Sequence, residues 1–132
     1  MLITPVIAIH MTAAILAVVT GPVALWARKG REQRPKLHRA FGYAWVTLML
    51  ITAISAIFIK SNLPNIAGLG PVHALIPLTL AGLFGAFWFL AKGNIRAHRM
   101  TMVGLYLGAC VTAGLFALAP NRTIFQLVAS LA

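Results

Sequence analysis

Acidic residues are almost absent from this chain of 132 residues, in which Glu32 is the only Asp or Glu against eleven Lys and Arg. A pair of carboxylates for acid–base chemistry is therefore excluded. Cysteine occurs once, as Cys110, so the chain has neither an internal disulfide nor a cysteine-rich metal site. No nucleophile with a base and no phosphate-binding loop is recognisable. These absences disfavour a hydrolase or a transferase.

Charge of either sign is also scarce, because only 9% of the residues are charged and 61% are hydrophobic. With a mean hydropathy of +0.92, the chain cannot cover an apolar interior with a polar surface. It is therefore predicted to be an integral membrane protein. The net charge of +10 does not indicate nucleic-acid binding, since the basic residues adjoin apolar runs and form no separate face.

Two basic segments divide the apolar sequence. Residues 28–39 hold six of the eleven basic residues, and neither 1–27 nor 40–59 contains a charged residue. A second basic segment follows at 92–99. Runs of about 20 apolar residues are long enough to cross the bilayer as helices. The chain is thus predicted to be one all-α transmembrane domain, 1–132, a four-helix bundle with spans at about 4–27, 36–59, 71–91 and 95–119.

The distribution of charge predicts the orientation. Lys92, Arg96 and Arg99 add three basic residues to the six of the first segment, and only Lys60 and Arg122 lie on the other side. The positive-inside rule then puts both basic loops in the cytoplasm and both termini outside it. The loop 61–72 is expected on the outer side, and residues 123–132 are too short to cross and are expected at the interface.

The two halves of the chain resemble each other when His10 is laid over His73. Each histidine is followed by a tryptophan, a Lys-Gly pair and a His-Arg pair in the same order. The chain is therefore predicted to consist of two parallel-repeat hairpins. The corresponding residues are Trp26 and Trp88, Lys29-Gly30 and Lys92-Gly93, and His38-Arg39 and His98-Arg99.

Each predicted span carries one histidine, a residue that is usually partnered or functional within a membrane. His10 and His73 are expected near the outer end, His38 and His98 near the inner end, with roughly 25 Å between the layers. Two facing imidazoles per layer suit haem iron, whose other four ligands come from the porphyrin. Zinc would need three or four protein ligands. A copper site that combines His10 or His98 with a nearby methionine stays open.

Other residues near the histidines are compatible with a bound haem. Arg39 and Arg99 directly follow the inner histidines and are expected to pair with haem propionates or with an anionic electron donor. Small residues continue the histidine faces and would leave space for a macrocycle, although close helix packing explains them as well. They include Ala14, Ala17 and Gly21 after His10, Ala81 and Gly85 after His73, Gly42 after His38, and Gly104, Gly108 and Thr112 after His98.

On these motifs the chain resembles a family of small bacterial membrane proteins known as a domain of unknown function. The resemblance covers nearly the whole chain and is clearest at His10 to Pro22, Lys36 to Gly42, Asn94 to Arg99 and Gly104 to Tyr106. It implies a multi-pass protein of the bacterial inner membrane. Its architecture is also similar to the diheme core of the cytochrome b561 family, in which four helices hold two b-type haems by paired histidines.

That second resemblance implies transmembrane electron transfer from a donor to an acceptor such as ferric iron, a quinone or superoxide. We therefore expect two haem b groups, one on His10 and His73 and one on His38 and His98. Two alternatives stay open: a cofactor-free accessory or assembly subunit of a larger membrane complex, and a small-solute transporter or channel acting as an oligomer. Membrane lipid is an expected partner, and both a homodimer and membership of a larger membrane complex stay open.

Overall fold

The computed structural model describes residues 3–28, 33–59, 71–118 and 123–132. All regular secondary structure in these ranges is helical, which confirms the predicted all-α class. Several features predicted from the sequence lie outside the described residues. They are the central part of the first basic segment, the loop at 61–70, and the two basic residues expected on the outer side, Lys60 and Arg122.

The first two helices form an antiparallel hairpin. Helix α1 spans Pro5–Trp26, and the hydroxyl of Thr4 caps it by accepting a hydrogen bond from the Ile7 N–H at 3.3 Å. Helix α2 spans Pro35–Ile57 and also begins with proline, which is favourable at a first helical position because the missing N–H would have no partner there. Both helices are long and apolar enough to cross a membrane.

The second hairpin is less regular. A 3₁₀ turn at Pro71–Ala74 leads into α3, Leu75–Ala91, and α4 follows at Ile95–Ala117. Within α4, Tyr106–Val111 is π-helical. The described ranges contain three helices that meet the length for a membrane span, and α3 is a shorter apolar helix. A further short helix, α5, spans Thr123–Leu131.

The connection between α3 and α4 is a tight turn. Gly93 has φ +74°, a left-handed conformation that glycine adopts without a steric penalty. The side chain of Asn94 then accepts from the Ala97 N–H at 3.0 Å and caps α4. The first hairpin also closes on itself, because the Arg34 N–H donates to the Ala27 carbonyl at 2.9 Å. We call this end of the molecule the hairpin end.

The four long helices pack in a ring: α1 contacts α2, α2 contacts α3, α3 contacts α4, and the π segment of α4 contacts α1. Helix α1 is therefore diagonal to α3, and α2 to α4. Trp45, which lies too deep in its predicted span to be an interface residue, is buried at the centre of the ring. The buried core around it also contains Ala17, Met49, Leu83, Leu105, Ala109 and Cys110.

The outer surface of this ring is apolar. Large hydrophobic side chains on all four helices are exposed, including Val19, Ile54, Phe84 and Leu115. Exposed apolar surface around a bundle of apolar helices is compatible with contact to lipid tails, where it carries no penalty.

Candidate functional site

The histidines nearest the hairpin end make matching contacts. His38 Nδ1 lies 2.8 Å from the main-chain oxygen of Ala24, and His98 Nδ1 lies 2.8 Å from that of Ala86. Each alanine is buried, and each lies two residues before a tryptophan near the end of the preceding helix. The two hairpins therefore repeat one contact in equivalent positions, in which a histidine on the second helix reaches back to the first.

The histidines at the opposite end make different contacts. His10 Nδ1 lies 3.0 Å from both the main-chain oxygen of Thr52 and the hydroxyl of Ser55, on α2. His73 uses its other ring nitrogen, Nε2, which lies 3.0 Å from the main-chain oxygen of Ile59. His10 thus holds the first hairpin together, whereas His73 joins the second hairpin to the first.

These contacts determine the protonation of each imidazole. A carbonyl oxygen can only accept, so the ring nitrogen facing it must carry the proton and donate. In a neutral imidazole the lone pair then lies on the opposite nitrogen. For His10, His38 and His98 that nitrogen is Nε2, which has no hydrogen-bond partner in the described part of the chain. Metal-bound histidines commonly show this arrangement, with one nitrogen on a carbonyl and the other on the metal.

The ring order of the helices relates the predicted histidine pairs to each other. His10 on α1 and His73 before α3 belong to one diagonal, and His38 on α2 and His98 on α4 belong to the other. The structure also separates two levels along the bundle. Ala24, which accepts from His38, is 14 residues beyond His10 on the same helix, or about 21 Å at 1.5 Å per residue.

Buried side chains at the two histidine levels are small. Leu83, Leu105, Trp45 and Met49 are the large ones, and they lie between the levels. The half-buried ring of Phe87 also lies at the hairpin-end level, where it meets the His98 imidazole edge-on with 6.3 Å between the ring centres. At the hairpin end the buried residues are Ala24, Ala27 and Ala86, and at the opposite end they are Ala13, Ala53, Ser55 and Thr79.

The glycines predicted to leave room for a macrocycle divide into two groups. A methyl group on Gly21 would lie 2.5 Å from the Tyr106 ring and 3.1 Å from the Trp45 nitrogen, so this glycine serves helix packing. A methyl group on Gly42 would meet nothing within 4 Å, and neither would one on Gly85, Gly104 or Gly108 of the second hairpin.

The three glycines of the second hairpin line a groove of about 430 Å³ between α3 and α4. Gly104 and Gly108 are exposed, so the groove opens on the outer surface of the second hairpin. Gly104 and Gly108 therefore lie on the outer surface of the bundle, and the space that they leave is not in the interior between the histidines.

The two arginines predicted as site residues lie at the surface. Arg39 and Arg99 are exposed, and within the described ranges neither has a hydrogen bond or an ion pair. Each directly follows a half-buried histidine, so the guanidinium groups are available at the hairpin end near the imidazoles. In the described residues no three His, Cys, Asp or Glu side chains gather in a way that could hold a metal ion, so a zinc-type ligand set is not formed there.

Sequence patterns did not reveal the partners of the histidines. Thr52 and Ser55 lie more than 40 residues from His10, inside a helix with no distinguishing motif. The sequence also did not indicate the role of Tyr106, whose hydroxyl on α4 donates to the Val18 carbonyl on α1 at 3.0 Å. Only the order of the repeat hints at equivalent contacts.

Comparison with known protein families identifies the family of this chain. A family described as a predicted membrane protein (DUF2306) matches residues 7–131. The chain belongs to the DUF2306 family. The match includes all four histidines, and it establishes a membrane protein. No curated protein and no solved structure matches this DUF2306 chain.

Proposed function

We propose that this DUF2306 protein is a diheme membrane cytochrome of b type that carries electrons across the bilayer. His10 and His73 hold one haem and His38 and His98 hold the other, as in the cytochrome b561 architecture that the chain resembles. The observation that carries the proposal is the hydrogen bonding of the two ring nitrogens of the imidazoles. Three of them have Nδ1 fixed on a main-chain carbonyl or hydroxyl and Nε2 directed to no described protein atom.

The proposal includes four membrane crossings. The 17 residues of α3 rise about 25 Å, and the 3₁₀ turn before it adds about 8 Å, so together they match a hydrocarbon core of about 30 Å. With both basic loops in the cytoplasm, the termini lie outside. The two histidine levels, about 21 Å apart, then fall near opposite faces of the bilayer.

The residues present fit a pair of haems in their donor chemistry. Neutral imidazole nitrogens are standard axial ligands of haem iron, and the buried residues at both levels are small. When bound, the haems supply one-electron redox chemistry. The protein holds the imidazoles of His10, His38 and His98 with the proton on Nδ1, whereas His73 donates from Nε2 to the Ile59 carbonyl. Trp45, Met49 and Leu83 exclude water from the space between the levels, and Arg39 and Arg99 are offered to the propionates.

A direct experiment tests this function. We expect protein purified from haem-supplemented cells to be red, with b-type bands in the dithionite-reduced minus oxidised spectrum and about two haems per chain. A colourless preparation that also fails to take up added haemin would contradict the proposal.

The second candidate is a cofactor-free accessory subunit of a larger membrane complex. The same hydrogen bonds favour it, because each histidine already joins two segments of the bundle and needs no metal to explain it. The substitution His38→Asn separates the two candidates. Asparagine places an amide N–H near the position of Nδ1 and can still donate to Ala24, but it offers iron no nitrogen ligand.

If the protein binds haem, His38→Asn will lose one haem as completely as His38→Ala does. If the histidines only join helices, neither preparation will contain haem, and His38→Asn will unfold under the same conditions as the parent protein. Pyridine haemochrome assay and circular dichroism in detergent measure both outcomes on the same samples.

A further inference from the structure

The four imidazoles are held in two different ways. In histidine, Nδ1 adjoins the ring carbon that bears the side chain, whereas Nε2 lies at the tip of the ring. His10, His38 and His98 are anchored near the base of the ring, because Nδ1 of each lies 2.8–3.0 Å from a main-chain oxygen. His73 is anchored by its tip, since its Nε2 lies 3.0 Å from the main-chain oxygen of Ile59.

This difference distinguishes the two histidine levels. At the hairpin-end level, both His38 and His98 leave Nε2 without a hydrogen-bond partner in the described part of the chain. At the opposite level only His10 does so. The Ile59 carbonyl can only accept, so Nε2 of His73 carries the proton and has no lone pair for a metal ion.

The other nitrogen of His73 is a poor substitute at a haem. The carbon next to Nδ1 bears Cβ, which would press against the face of a porphyrin, whereas the tip nitrogen is flanked only by C–H groups. His73 can therefore ligate iron well only through Nε2. For that, the half-buried ring must leave Ile59 and turn its tip into the bundle.

The surroundings of His73 permit such a movement. It belongs to the four-residue 3₁₀ turn Pro71–Ala74, and hydrogen bonds in 3₁₀ turns have poorer geometry than those of an α-helix. At the hairpin-end level, by contrast, His98 lies within α4 and its ring also meets the Phe87 ring, with 6.3 Å between the ring centres. The hairpin-end histidines are thus preorganised, and His73 is not.

We propose that His73 is a positioning switch that determines the order in which the two haem sites fill. In haem-free protein its tip joins the turn before α3 to the end of α2. In the loaded protein the tip faces the interior as the axial ligand opposite His10. The hairpin-end level fills first, because only the opposite level must give up a hydrogen bond between the hairpins. This inference rests on the proposed haem binding.

Haemin titration of two single-site proteins tests the order. His10→Ala/His73→Ala retains only the hairpin-end level, and His38→Ala/His98→Ala retains only the opposite one. We expect the hairpin-end level to bind haemin more tightly by about threefold or more, since one hydrogen bond between membrane helices contributes about that factor. Soret absorbance measures both dissociation constants, and circular dichroism controls for the fold.

Nitrogen-15 NMR of labelled histidines tests the switch itself. In the haem-free parent protein at about pH 8, where imidazoles are neutral, we expect three rings protonated at Nδ1 and one at Nε2. His73→Gln is expected to remove the signals of that one ring. In the reduced, diamagnetic complex of His38→Ala/His98→Ala, His73 is expected to lose its Nε2 proton, while His10, the control at the same level, keeps its proton at Nδ1.

The outcomes separate this inference from the proposed function. If neither single-site protein takes up haemin, the proposed function is wrong and this inference falls with it. Equal binding by the two proteins, tighter binding by His38→Ala/His98→Ala, or four Nδ1-protonated rings in the haem-free parent protein would overturn the switch alone. The parent spectrum needs no substitution, so it decides the tautomer of His73 even where a single-site protein does not fold.

Discussion

The two hairpins of this DUF2306 protein make the same histidine contact at one end of the bundle and different histidine contacts at the other. At the hairpin end, His38 and His98 donate to equivalent alanine carbonyls at the same distance. At the opposite end, His10 stays within its own hairpin, whereas His73 reaches across to the other. Of these four histidine contacts, only that of His73 requires both hairpins, because the other three lie within one hairpin. The opposite end is therefore where the second hairpin is joined to the first.

The largest expected effect concerns whether the two hairpins share the haems that we propose. If each haem bridges both hairpins, the double variant His38→Ala/His98→Ala will keep about one haem, since both substitutions empty the same site. The variant His10→Ala/His38→Ala, with both changes in the first hairpin, will keep none. Haem per chain from the pyridine haemochrome assay measures both.

The reverse result would contradict the pairing of histidines from both hairpins on each haem. If His38→Ala/His98→Ala retains no haem while His10→Ala/His38→Ala retains one, each hairpin binds its own haem and the diagonal pairing is wrong. Circular dichroism of each variant controls for loss of the fold.

The next effect concerns glycines on the two hairpins. Gly21→Ala is expected to destabilise the protein by about 1–3 kcal/mol, because the added methyl group meets the rings of Tyr106 and Trp45. The methyl group of Gly104→Ala would have no atom within 4 Å, and the higher helix propensity of alanine is expected to stabilise the protein by up to about 1 kcal/mol. Reversible unfolding of both variants in mixed micelles, followed by circular dichroism, provides the measurement. Equal destabilisation would mean that the groove beside Gly104 is filled.

A smaller effect on stability is expected when the hydrogen bond from His98 to the Ala86 carbonyl is removed in haem-free protein. His98→Ala removes the donor to the Ala86 carbonyl, whereas His98→Asn keeps an N–H near the same place. Hydrogen bonds between membrane helices contribute about 0.6 kcal/mol on average, so we expect the alanine variant to be less stable than the asparagine variant by about that amount. The same pair of changes at His38 is expected to give the same difference. A large discrepancy would show that the hairpins use the contact differently.

The smallest effect is expected at Ser55. Its hydroxyl is one of two acceptors for His10 Nδ1, and the Thr52 carbonyl stays in place when the side chain is removed. Ser55→Ala is therefore expected to cost no more than about 0.5 kcal/mol. Unfolding in mixed micelles checks it, with Thr47→Ala as a control whose hydroxyl bonds only within its own helix. A cost above that of His98→Ala would show that the hydroxyl is the main acceptor.

The fold was largely readable from the sequence because its determinants are local. Charge-free runs bounded by prolines and basic segments indicate where helices begin and end, and α1 and α2 have nearly the predicted ranges. Asn94 was recognisable as a cap for the same reason. The orientation in the membrane and the number of crossings remain predictions.

The contacts of the candidate site depend on tertiary packing and could not be read in the same way. The sequence identifies four histidines and their order, but not that Ser55 lies beside His10. It also does not indicate that Gly21 packs against the Tyr106 ring while Gly104 lies on the outer surface, because both are small residues in apolar helices. Which of them serves packing depends on the rotation of each helix about its axis.

The π-helical segment of α4 affects how sequences of this family are to be aligned. Such a segment accommodates one residue more than an α-helix of equal length, and it shifts the faces before and after it by about 100°. Ala109 and Cys110 are both buried, although neighbouring residues on a regular helix point in different directions. A relative that lacks one residue between Tyr106 and Val111 is therefore expected to keep the same core with an unbroken α-helix. A single-residue gap at this place would then mark a change of helix type and not a loss of structure.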